Sequence, residues 1–554
     1  MYSRYYKLAF YSLWLALNLI QSSTTGLFDD ESYYWVYSKF LDWGYFDHPP
    51  MIALLIKMGS AILPGEVGVR LFIAIMSTCT LWLIEKLLVV KDDKMFYAIT
   101  ISMAVLQLGG IIAVPDIPLL FFTTLFFLAY KRFVQAATFT NSFLLALCIA
   151  ALLYSKYHGL LVVALTLASN PTLFTKRSTY LVGVFSLLLF VPHLYWQYVH
   201  DFPSAQYHFK DRISRSYQSS FTFDYIFQQL LLMGPLATIV ILWAAIRSKP
   251  TDELQRALKF TTLGFYLFFL LYSFRGYIEA NWTFPAFIGL IVLSHQYLSG
   301  RAHLRKLINI LAICTFVLTT ACRFYLAGCL PPMDLKDDEF LFNKEWTEDI
   351  DQRAGGLPVF FVDSYQRASK YWFYSGKPAY SLNTLDYRRN GFSLWRMEDS
   401  LQHKKMYGIY QGKHNDYFKD SISTRKGVFL GRTFDNYFSF SRILFASPSN
   451  VEGNNGDSVQ IPVNCLIDEN SYKGIHPLFD TARVWMAIYT KDVDEPVVLP
   501  TSFCLGELTE HKQQVDIPVR LNVSPGNYTA RFGVSSCVSN WPTINSTAFS
   551  LKVK

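Results

Sequence analysis

A series of long apolar runs between residues 8 and 325 constrains this chain more than any other feature of its sequence. A membrane-spanning helix needs about 20 apolar residues, and runs of roughly this length recur with short polar connections. Hydrophobic residues make up 52% of the chain and charged residues only 17%, which is unlike an ordinary soluble enzyme. The pattern predicts a mostly α-helical, polytopic membrane protein, followed from residue 327 by a soluble region.

We predict eleven spans with the N-terminus inside. They lie near residues 7–24, 67–90, 95–113, 116–135, 141–155, 157–170, 178–199, 223–247, 258–274, 281–298 and 305–326. The first run resembles a signal peptide, but it lacks a convincing cleavage site and is interpreted as a retained span. The apolar stretch 51–63 is too short to span and has prolines on both sides. We therefore predict that it forms a helix lying at the membrane interface.

Basic residues alternate with the predicted spans so that they fall on one face. These residues are Arg4, Lys7, Lys91, Lys94, Lys131, Arg132, Lys176, Arg177, Arg247, Lys249, Arg301, Arg305 and Lys306. The positive-inside rule makes this face cytoplasmic and leaves residues 327–554 outside, in the periplasm of a bacterial inner-membrane protein. The net charge of +8 is then a consequence of topology, and no basic face for nucleic acid is predicted.

The first predicted outer loop, GLFDDESYYWVYSKFLDWGYFDHPP at residues 26–50, has an unusual charge pattern. Five carboxylates face a single lysine, Lys39; they belong to Asp29, Asp30, Glu31, Asp42 and Asp47. Like charges at this density are unfavourable unless they act on a substrate or meet cations. The aromatic residues between 33 and 43 predict a helix in the headgroup layer. The simpler alternative is that Asp29 or Asp30 only caps that helix.

Other predicted outer loops add further polar candidates. Asp116 lies between two prolines and could equally be a helix cap, whereas Lys156 interrupts an apolar run. A charge in the centre of a span costs about 2.5–3.5 kcal/mol, so Lys156 either lies in a turn or pairs with an anion. A lone histidine is more often a structural hydrogen-bonding group than a site residue. The remaining candidates are His48, Tyr157, His158, Arg212, Arg215, Arg275 and Glu279.

A carboxylate and cations at the outer surface suit the transfer of a sugar from a lipid phosphate to a hydroxyl. The carboxylate can remove the hydroxyl proton while cations stabilise the departing phosphate. The sequence has no nucleotide-binding glycine motif, which favours a donor already activated on a lipid. A transporter or lipid flippase is the main alternative, and it predicts charges near span midpoints and inverted repeats. A non-catalytic assembly protein is a third reading.

Four motifs resemble those of the bacterial integral-membrane glycosyltransferases of the GT-C superfamily. They are the loop at 29–55, VPDIPLLFF at 114–122, SKYHGLL at 155–161 and VPHLYWQYVHDFPSAQYHF at 191–209. The branch contains protein O-mannosyltransferases, lipid A aminoarabinose transferases and Rgt-type lipopolysaccharide sugar transferases. The resemblance implies inverting transfer from a polyprenyl-phosphate sugar to a hydroxyl of a lipid, glycan or protein acceptor.

The resemblance also implies roles for individual residues. Asp30 matches the acid of the Asp-Glu pair and is the predicted general base, with Glu31 as its supporting neighbour. Asp116 is expected to orient the substrate and Lys156 to contact the donor phosphate. His48 stands where relatives have a lysine near that phosphate, a departure that weakens the assignment. The other substrate-binding candidates are Asp29, Asp47, Tyr157, His158, Arg212, Arg275 and Glu279. No metal is required, although the clustered acids could hold a divalent cation.

The soluble region is predicted to contain two parts after the transmembrane domain at 1–326. Residues 327–445 mix strand-like and helical segments, and we predict an α/β region. Residues 446–554 alternate short strands with turns, which predicts a β-sandwich-like module. In an oxidising compartment Cys329, Cys465, Cys504 and Cys537 would allow up to two disulfides, in any of three pairings.

Overall fold

The computed structural model describes residues 2–208, 217–331, 338–412, 417–467, 469–490, 496–538 and 541–554. The chain divides into two compact units. The first, here called the membrane unit, comprises Met1–Ser204 and Tyr217–Leu341. The second, the C-terminal unit, comprises Ala205–Ser216 and Phe342–Lys554. A mostly helical part and a sheet-rich C-terminal part are therefore present, as the sequence predicts.

Helices dominate the first part of the chain. They are α1 (Tyr2–Thr24), α2 (Asp29–Tyr37), α3 (Met51–Ile62), α4 (Gly65–Leu87), α5 (Asp93–Ser102), α6 (Ala104–Leu108), α7 (Asp116–Gln135), α8 (Phe139–Ser155), α9 (Gly159–Ser169), α10 (Arg177–Val199), α11 (Pro203–Gln206), α12 (Ser219–Met233), α13 (Thr238–Arg247), α14 (Glu253–Tyr272), α15 (Ala286–Leu298) and α16 (Ala302–Leu326). Among the described residues, α4, α7, α10 and α16 are long and apolar enough to cross a membrane. Two bent helix pairs raise this number to six, and the total of eleven spans stays a prediction.

Two segments predicted as continuous spans are broken. Helix α5 and the helical segment after it meet at 83°, and α12 meets α13 at 94°. The second break lies at Gly234, which has a φ of +131° and is followed by a proline. A Cβ at this position would lie 2.4 Å from the carbonyl oxygen of Ser102, at the first break. The two breaks are thus in contact, and only a glycine permits this close approach.

Two short helices precede the first long apolar helix. Helix α2 begins at Asp29, so the acids lie at its start as predicted, and it ends at Tyr37, before the end of the aromatic pattern. Helix α3 occupies the short apolar stretch between the prolines, in agreement with the predicted helix, and it packs against α4. Together they hold the first predicted outer loop next to the helical bundle.

Charged helix ends meet at one end of the membrane unit. Lys7 of α1 forms ion pairs with Glu85 of α4 and Asp93 of α5. Arg305 of α16 pairs with Asp92, the N-cap of α5, at 2.5 Å. Lys7 and Arg305, which the sequence assigns to one face of the membrane, therefore both lie near the start of α5. Which face this is stays a prediction.

The C-terminal unit contains an α/β region with two helices and one five-stranded sheet. Its elements are α17 (Asn343–Ala354), β1 (Val359–Val362), α18 (Tyr365–Ser375), β2 (Ala379–Leu382), β3 (Met406–Tyr410), β4 (Asp420–Thr424) and β5 (Gly427–Phe434). The sheet order is β2-β1-β3-β5-β4, with β1 parallel to both of its neighbours. All four residues of β1 are buried, as expected for a central parallel strand.

Two further sheets form the last part of the chain. Their elements are β6 (Leu444–Ala446), β7 (Asn450–Gly453), β8 (Ser458–Leu466), α19 (Glu469–Ile475), β9 (Arg483–Tyr489), β10 (Val497–Cys504), β11 (Lys512–Arg520), β12 (Gly526–Val534), β13 (Thr543–Ile544) and β14 (Phe549–Val553). The sheets are ordered β10-β9-β12-β14-β7 and β11-β8-β6, and their inward side chains share one apolar core. All eight cysteines of the chain are free thiols, so neither of the two disulfides that the sequence would allow is formed.

Candidate active site

Glu31, in the first turn of α2, is fully buried and accepts hydrogen bonds from four donors. Arg70 of α4 supplies two of them, from Nε at 2.8 Å and from Nη2 at 2.5 Å. The backbone amides of Phe28 and Ala113 supply the others, at 2.8 Å and 2.7 Å. A buried carboxylate with this many donors is held in one position. Glu31 therefore connects α2, α4 and the segment that precedes Asp116.

Arg70 has no exposed surface and uses its remaining donors on backbone carbonyls. Its Nη1 donates to the carbonyl of Thr25 at 2.6 Å, and its Nη2 donates to that of Gly26 at 2.8 Å. These carbonyls belong to the connection between α1 and α2. The single guanidinium thus fixes the path of the chain into the first predicted outer loop. It also neutralises Glu31, which makes the burial of both charges tolerable.

The three acids of the first turn of α2 have different surroundings. Phe28 occupies the N-cap position, and the carboxylate that bonds the amide of Phe28 belongs to Glu31. Asp29 is buried, and its backbone amide donates to Glu339. Asp30 is half-buried and has the most exposed side chain of the three. Neither aspartate occupies the N-cap position that the simpler alternative would assign to it, although both carry negative charge near the positive end of the helix.

A second buried ion pair joins Asp116 and Lys156. Asp116 is the first residue of α7, and Lys156 is the C-cap of α8. The ammonium of Lys156 donates to both carboxylate oxygens of Asp116, at 2.8 Å and 2.9 Å. Asn281 donates to the same carboxylate at 2.8 Å. The sequence predicts that Lys156 either lies in a turn or pairs with an anion. The structure shows both, because Lys156 lies at a helix end and pairs with Asp116.

The two ion pairs belong to one connected arrangement. Ala113, whose amide bonds Glu31, lies three residues before Asp116, and only the turn at Val114 and Pro115 separates them. Three of the four charged groups lie at a helix end: Glu31 and Asp116 in a first turn and Lys156 at a C-cap. Arg70 lies in the second turn of α4. Helix ends rather than helix centres therefore supply the charged groups of this site.

The aromatic part of the first loop is held by hydrogen bonds to its own tyrosines and to α10. Tyr37 donates to Asp47, and burial, aided by the charge of Asp47, raises the pKa of Tyr37 so that it remains a donor. The Tyr37 and Tyr45 rings stack at 4.0 Å. His193 of α10 bonds the carbonyl of Trp43 through Nδ1 at 2.7 Å. Asp47 is therefore a buried acceptor inside the loop.

Tyr157 belongs to the same network. Its hydroxyl hydrogen-bonds Nε2 of His193 at 3.0 Å and accepts a hydrogen bond from Gln197 at 3.0 Å. Because the carbonyl of Trp43 can only accept, the proton of the neutral His193 ring is on Nδ1, and Tyr157 donates to Nε2. Tyr157 thus connects the turn after Lys156 to α10 and, through His193, to the first loop.

The other predicted residues lie in varied surroundings. The ring of His48 packs edge-on against Tyr34 at 5.5 Å. The ring of His158 lies between Phe269 and Trp282, at 5.4 Å and 5.1 Å. Arg275 and Glu279 are exposed in the connection that leads to Asn281. Arg212 and Arg215 lie outside the described residues. Nowhere in the described part of the chain do three His, Cys, Asp or Glu side chains form a group that could hold a metal ion, and the metal requirement stays a prediction.

Three residues of the arrangement are absent from the sequence-based list. They are Arg70, His193 and Asn281. Arg70 had a usable signal, because an arginine inside an apolar run is a functional candidate by default. Asn281 had none, since an asparagine after a loop is common and its partner is 165 residues away.

The chain is similar in sequence to known glycosyltransferases. Residues 47–196 match the family described as dolichyl-phosphate-mannose-protein mannosyltransferase, a range that contains Arg70, Asp116 and Lys156 but not Asp30 or Glu31. Lipid A galacturonosyltransferase RgtD from Rhizobium johnstonii is 24% identical over 356 residues, which cover 60% of this chain and 74% of that relative.

The fold is also similar to solved structures. The crystal structure of ArnT from Cupriavidus metallidurans in the apo state superposes with a TM-score of 0.58 at 12% identity, covering 78% of this chain and 98% of that one. The same protein bound to undecaprenyl phosphate gives 0.55 at 12% identity, covering 76% and 97%. The similarities in sequence and fold all support a glycosyltransferase of the GT-C superfamily.

Proposed function

We propose that this protein transfers a sugar from a polyprenyl-phosphate donor to a hydroxyl of a lipid, glycan or protein acceptor at the outer face of the membrane. Asp30 acts as the general base. The observation that carries the proposal is the different surroundings of two neighbouring carboxylates in the first turn of α2. Glu31 is fully buried and committed to four donors, whereas Asp30, next to it, is half-buried on the same rigid turn.

The proposed step is a single displacement with inversion. The acceptor hydroxyl gives its proton to the Asp30 carboxylate while its oxygen attacks the anomeric carbon of the sugar. The bond between that carbon and the phosphate oxygen breaks, and polyprenyl phosphate leaves with the electron pair. General-base assistance of this kind contributes about 10²–10⁴-fold to the rate.

Lys156 is the proposed contact for the departing phosphate. Two of its three N–H groups are directed at Asp116, which leaves the third for a phosphate oxygen. Asp116 and Asn281 would then orient the ammonium rather than react. The likeness to an ArnT structure that binds undecaprenyl phosphate supports a donor of this class, and the similarity to RgtD, a lipid A galacturonosyltransferase by name, favours a lipid acceptor.

The position of the charges argues against a transporter or lipid flippase. A transport pathway would place ionisable groups near the midpoints of spans. Here Asp116 begins α7, Lys156 caps α8, and Arg70 is the sixth residue of α4. Charges at helix ends suit a reaction at the membrane surface.

The direct test compares two substitutions in the same loop. Asp30→Asn should lower kcat for sugar transfer by at least about 10²-fold, because an amide cannot accept the proton. Asp42→Asn is the matched control, since Asp42 is exposed and its carboxylate accepts a hydrogen bond from the adjacent amide of Trp43. Mass spectrometry of lipid A and other glycolipids first identifies the product, and purified protein in nanodiscs then gives the rates.

Both variants must elute from size-exclusion chromatography as monodisperse protein. The difference in their transfer rates then reports on catalysis and not on misfolding. Asp30→Glu should retain part of the activity, because it keeps a carboxylate on a longer side chain. Transfer by Asp30→Asn at half the wild-type rate or more would remove Asp30 as the base. Loss of transfer in Asp42→Asn as well would show that the loop as a whole, and not Asp30, is required.

A further inference from the structure

Two lysines, one in the first predicted outer loop and one on the helix that follows it, have no anionic partner among the described residues. Lys39 follows α2 and Lys57 lies on α3, and both side chains are exposed. Within the part of the chain that the structure describes, neither ammonium forms an ion pair or a side-chain hydrogen bond. This contrasts with Arg70 and Lys156 in the same unit, whose charges are fully paired.

The two ammonium groups influence one another. Desolvation lowers the pKa of Lys39, and the positive charge of Lys57 lowers it further. The ammonium of Lys39 also lies over the ring of Trp35, 4.1 Å from its centre, which holds it near α2. Helices α2 and α3 pack against each other. Like charges that influence each other are unfavourable, and an anion beside them would relieve the repulsion.

The surroundings of the lysines are apolar. On α3, Leu54, Lys57, Met58 and Ala61 have the spacing of a single helix face, and all four are exposed. Leu41 and Trp43 add exposed apolar surface after α2, at 49% and 55% exposure. An apolar helix face with a lysine in it, next to a partly exposed tryptophan, is typical of a surface that lies among lipid headgroups.

We propose that Lys39 and Lys57 form a binding site for the phosphate of an anionic lipid headgroup, with the exposed face of α3 against the acyl chains. The phosphate would lie between the two ammonium groups and accept from both, which satisfies the unpaired charges. A lipid rather than free phosphate is the occupant, because the apolar face beside the lysines can bury acyl chains and inorganic phosphate cannot use it. This site is separate from Asp30 and from the pair of Asp116 and Lys156.

The test measures lipid retention in the absence of a sugar donor, so that its outcome is independent of the proposed transfer reaction. The full chain is purified in detergent with phosphatidylglycerol or phosphatidylcholine, and native mass spectrometry counts the bound lipids. Wild type should prefer phosphatidylglycerol. Each lysine near an anionic headgroup contributes about a five-fold factor in affinity, so Lys39→Gln with Lys57→Gln should lower the affinity about twenty-five-fold.

Lys57→Glu is the sharper variant, because the new carboxylate would pair with Lys39 and occupy the place of the phosphate. It should abolish the preference, whereas the double change to arginine should keep it. Lys86→Gln is the matched control, since Lys86 is also an exposed lysine over a tryptophan, 5.0 Å from the ring of Trp82. Its phosphatidylglycerol retention should equal that of wild type.

Two results would overturn the proposal. One is retention of phosphatidylglycerol in the double glutamine variant at the wild-type level. The other is retention of inorganic phosphate by the wild type to the same extent as phosphatidylglycerol. This result would show a free-anion site and not a lipid site. Because both lysines are exposed, the variants should keep the wild-type melting temperature, and the single substitutions, each with about a five-fold effect, provide an independent measurement.

Discussion

The membrane unit and the C-terminal unit use charge in opposite ways. In the membrane unit, the Arg70–Glu31 and Lys156–Asp116 pairs are almost completely buried, with side-chain exposures of 0% for both members of the first and 5% and 2% for the second. In the C-terminal unit the pairs lie at the surface, and in the Lys377–Asp351 pair the exposures are 53% and 29%.

The difference has a physical origin. A buried pair loses its hydration, and its attraction offsets that cost only when further hydrogen bonds satisfy both groups. Glu31 and Arg70 meet this condition through the amides of Phe28 and Ala113 and the carbonyls of Thr25 and Gly26. A surface pair keeps most of its hydration and gains little. Buried pairs therefore mark positions where the geometry of the chain depends on charge.

The largest expected effect comes from breaking the Arg70–Glu31 pair on one side. Arg70→Met leaves Glu31 buried without a cation and should destabilise the protein by about 3–5 kcal/mol. Unfolding of purified protein by denaturant measures the loss. Arg305→Met is the matched control, because Arg305 also pairs with an aspartate but is 39% exposed, and about 1 kcal/mol is expected. Equal stability of the Arg70 variant and wild type would contradict the structural role of the pair.

An intermediate effect should come from Asp363, a carboxyl group of the C-terminal unit that is buried and not at the surface. It follows β1, and the amide and hydroxyl of Thr384 each donate to its carboxylate at 2.7 Å. Burial raises the pKa of Asp363 to about 7. The native state thus holds a proton that the unfolded chain releases near pH 4, and the stabilisation by this proton is lost as the pH rises from there through 7. Between pH 5 and pH 8, local stability should fall by about 2–3 kcal/mol.

Asp363→Asn should remove this dependence. Asparagine keeps an acceptor for Thr384 and tolerates the φ of +54° at this position. Hydrogen exchange of the peptides that contain β1 and β2, expressed as protection factors, measures the local stability at each pH. Asp435→Asn is the control, because Lys405 lowers the pKa of the exposed Asp435 and it stays ionised throughout this range. An unchanged slope in Asp363→Asn would assign the pH dependence elsewhere.

The smallest effect is expected at the surface pair of Lys377 and Asp351. Lys377→Met should change stability by about 0–1 kcal/mol. Tyr371 still donates to Asp351 at 2.7 Å, so the carboxylate keeps a partner. The difference from wild type should shrink further in high salt, since exposed charges are screened. A loss as large as that of Arg70→Met would break the contrast between the two units.

Much of the local structure follows from the sequence. The short apolar stretch between prolines predicts the helix found at Met51–Ile62, and the strand-like segments after residue 340 predict the sheet-rich region. The sequence also shows the unusual charges, which are the acids of the first loop and, within apolar runs elsewhere, Asp116 and Lys156. Each of these signals is local, because it depends on neighbours within a few residues.

The partners of those charges could not be read in the same way. Lys156 bonds Asp116 across 40 residues, Asn281 reaches Asp116 across 165, and Glu31 meets Arg70 and Ala113 in two other segments. The helix breaks at residues 103 and 234 depend equally on their contact with each other. Composition and periodicity thus determined by themselves that the chain is a helical membrane protein with an acidic first loop. Only the tertiary structure decided which carboxylates are neutralised, since burial and hydrogen bonding depend on segments that approach one another only in the folded chain.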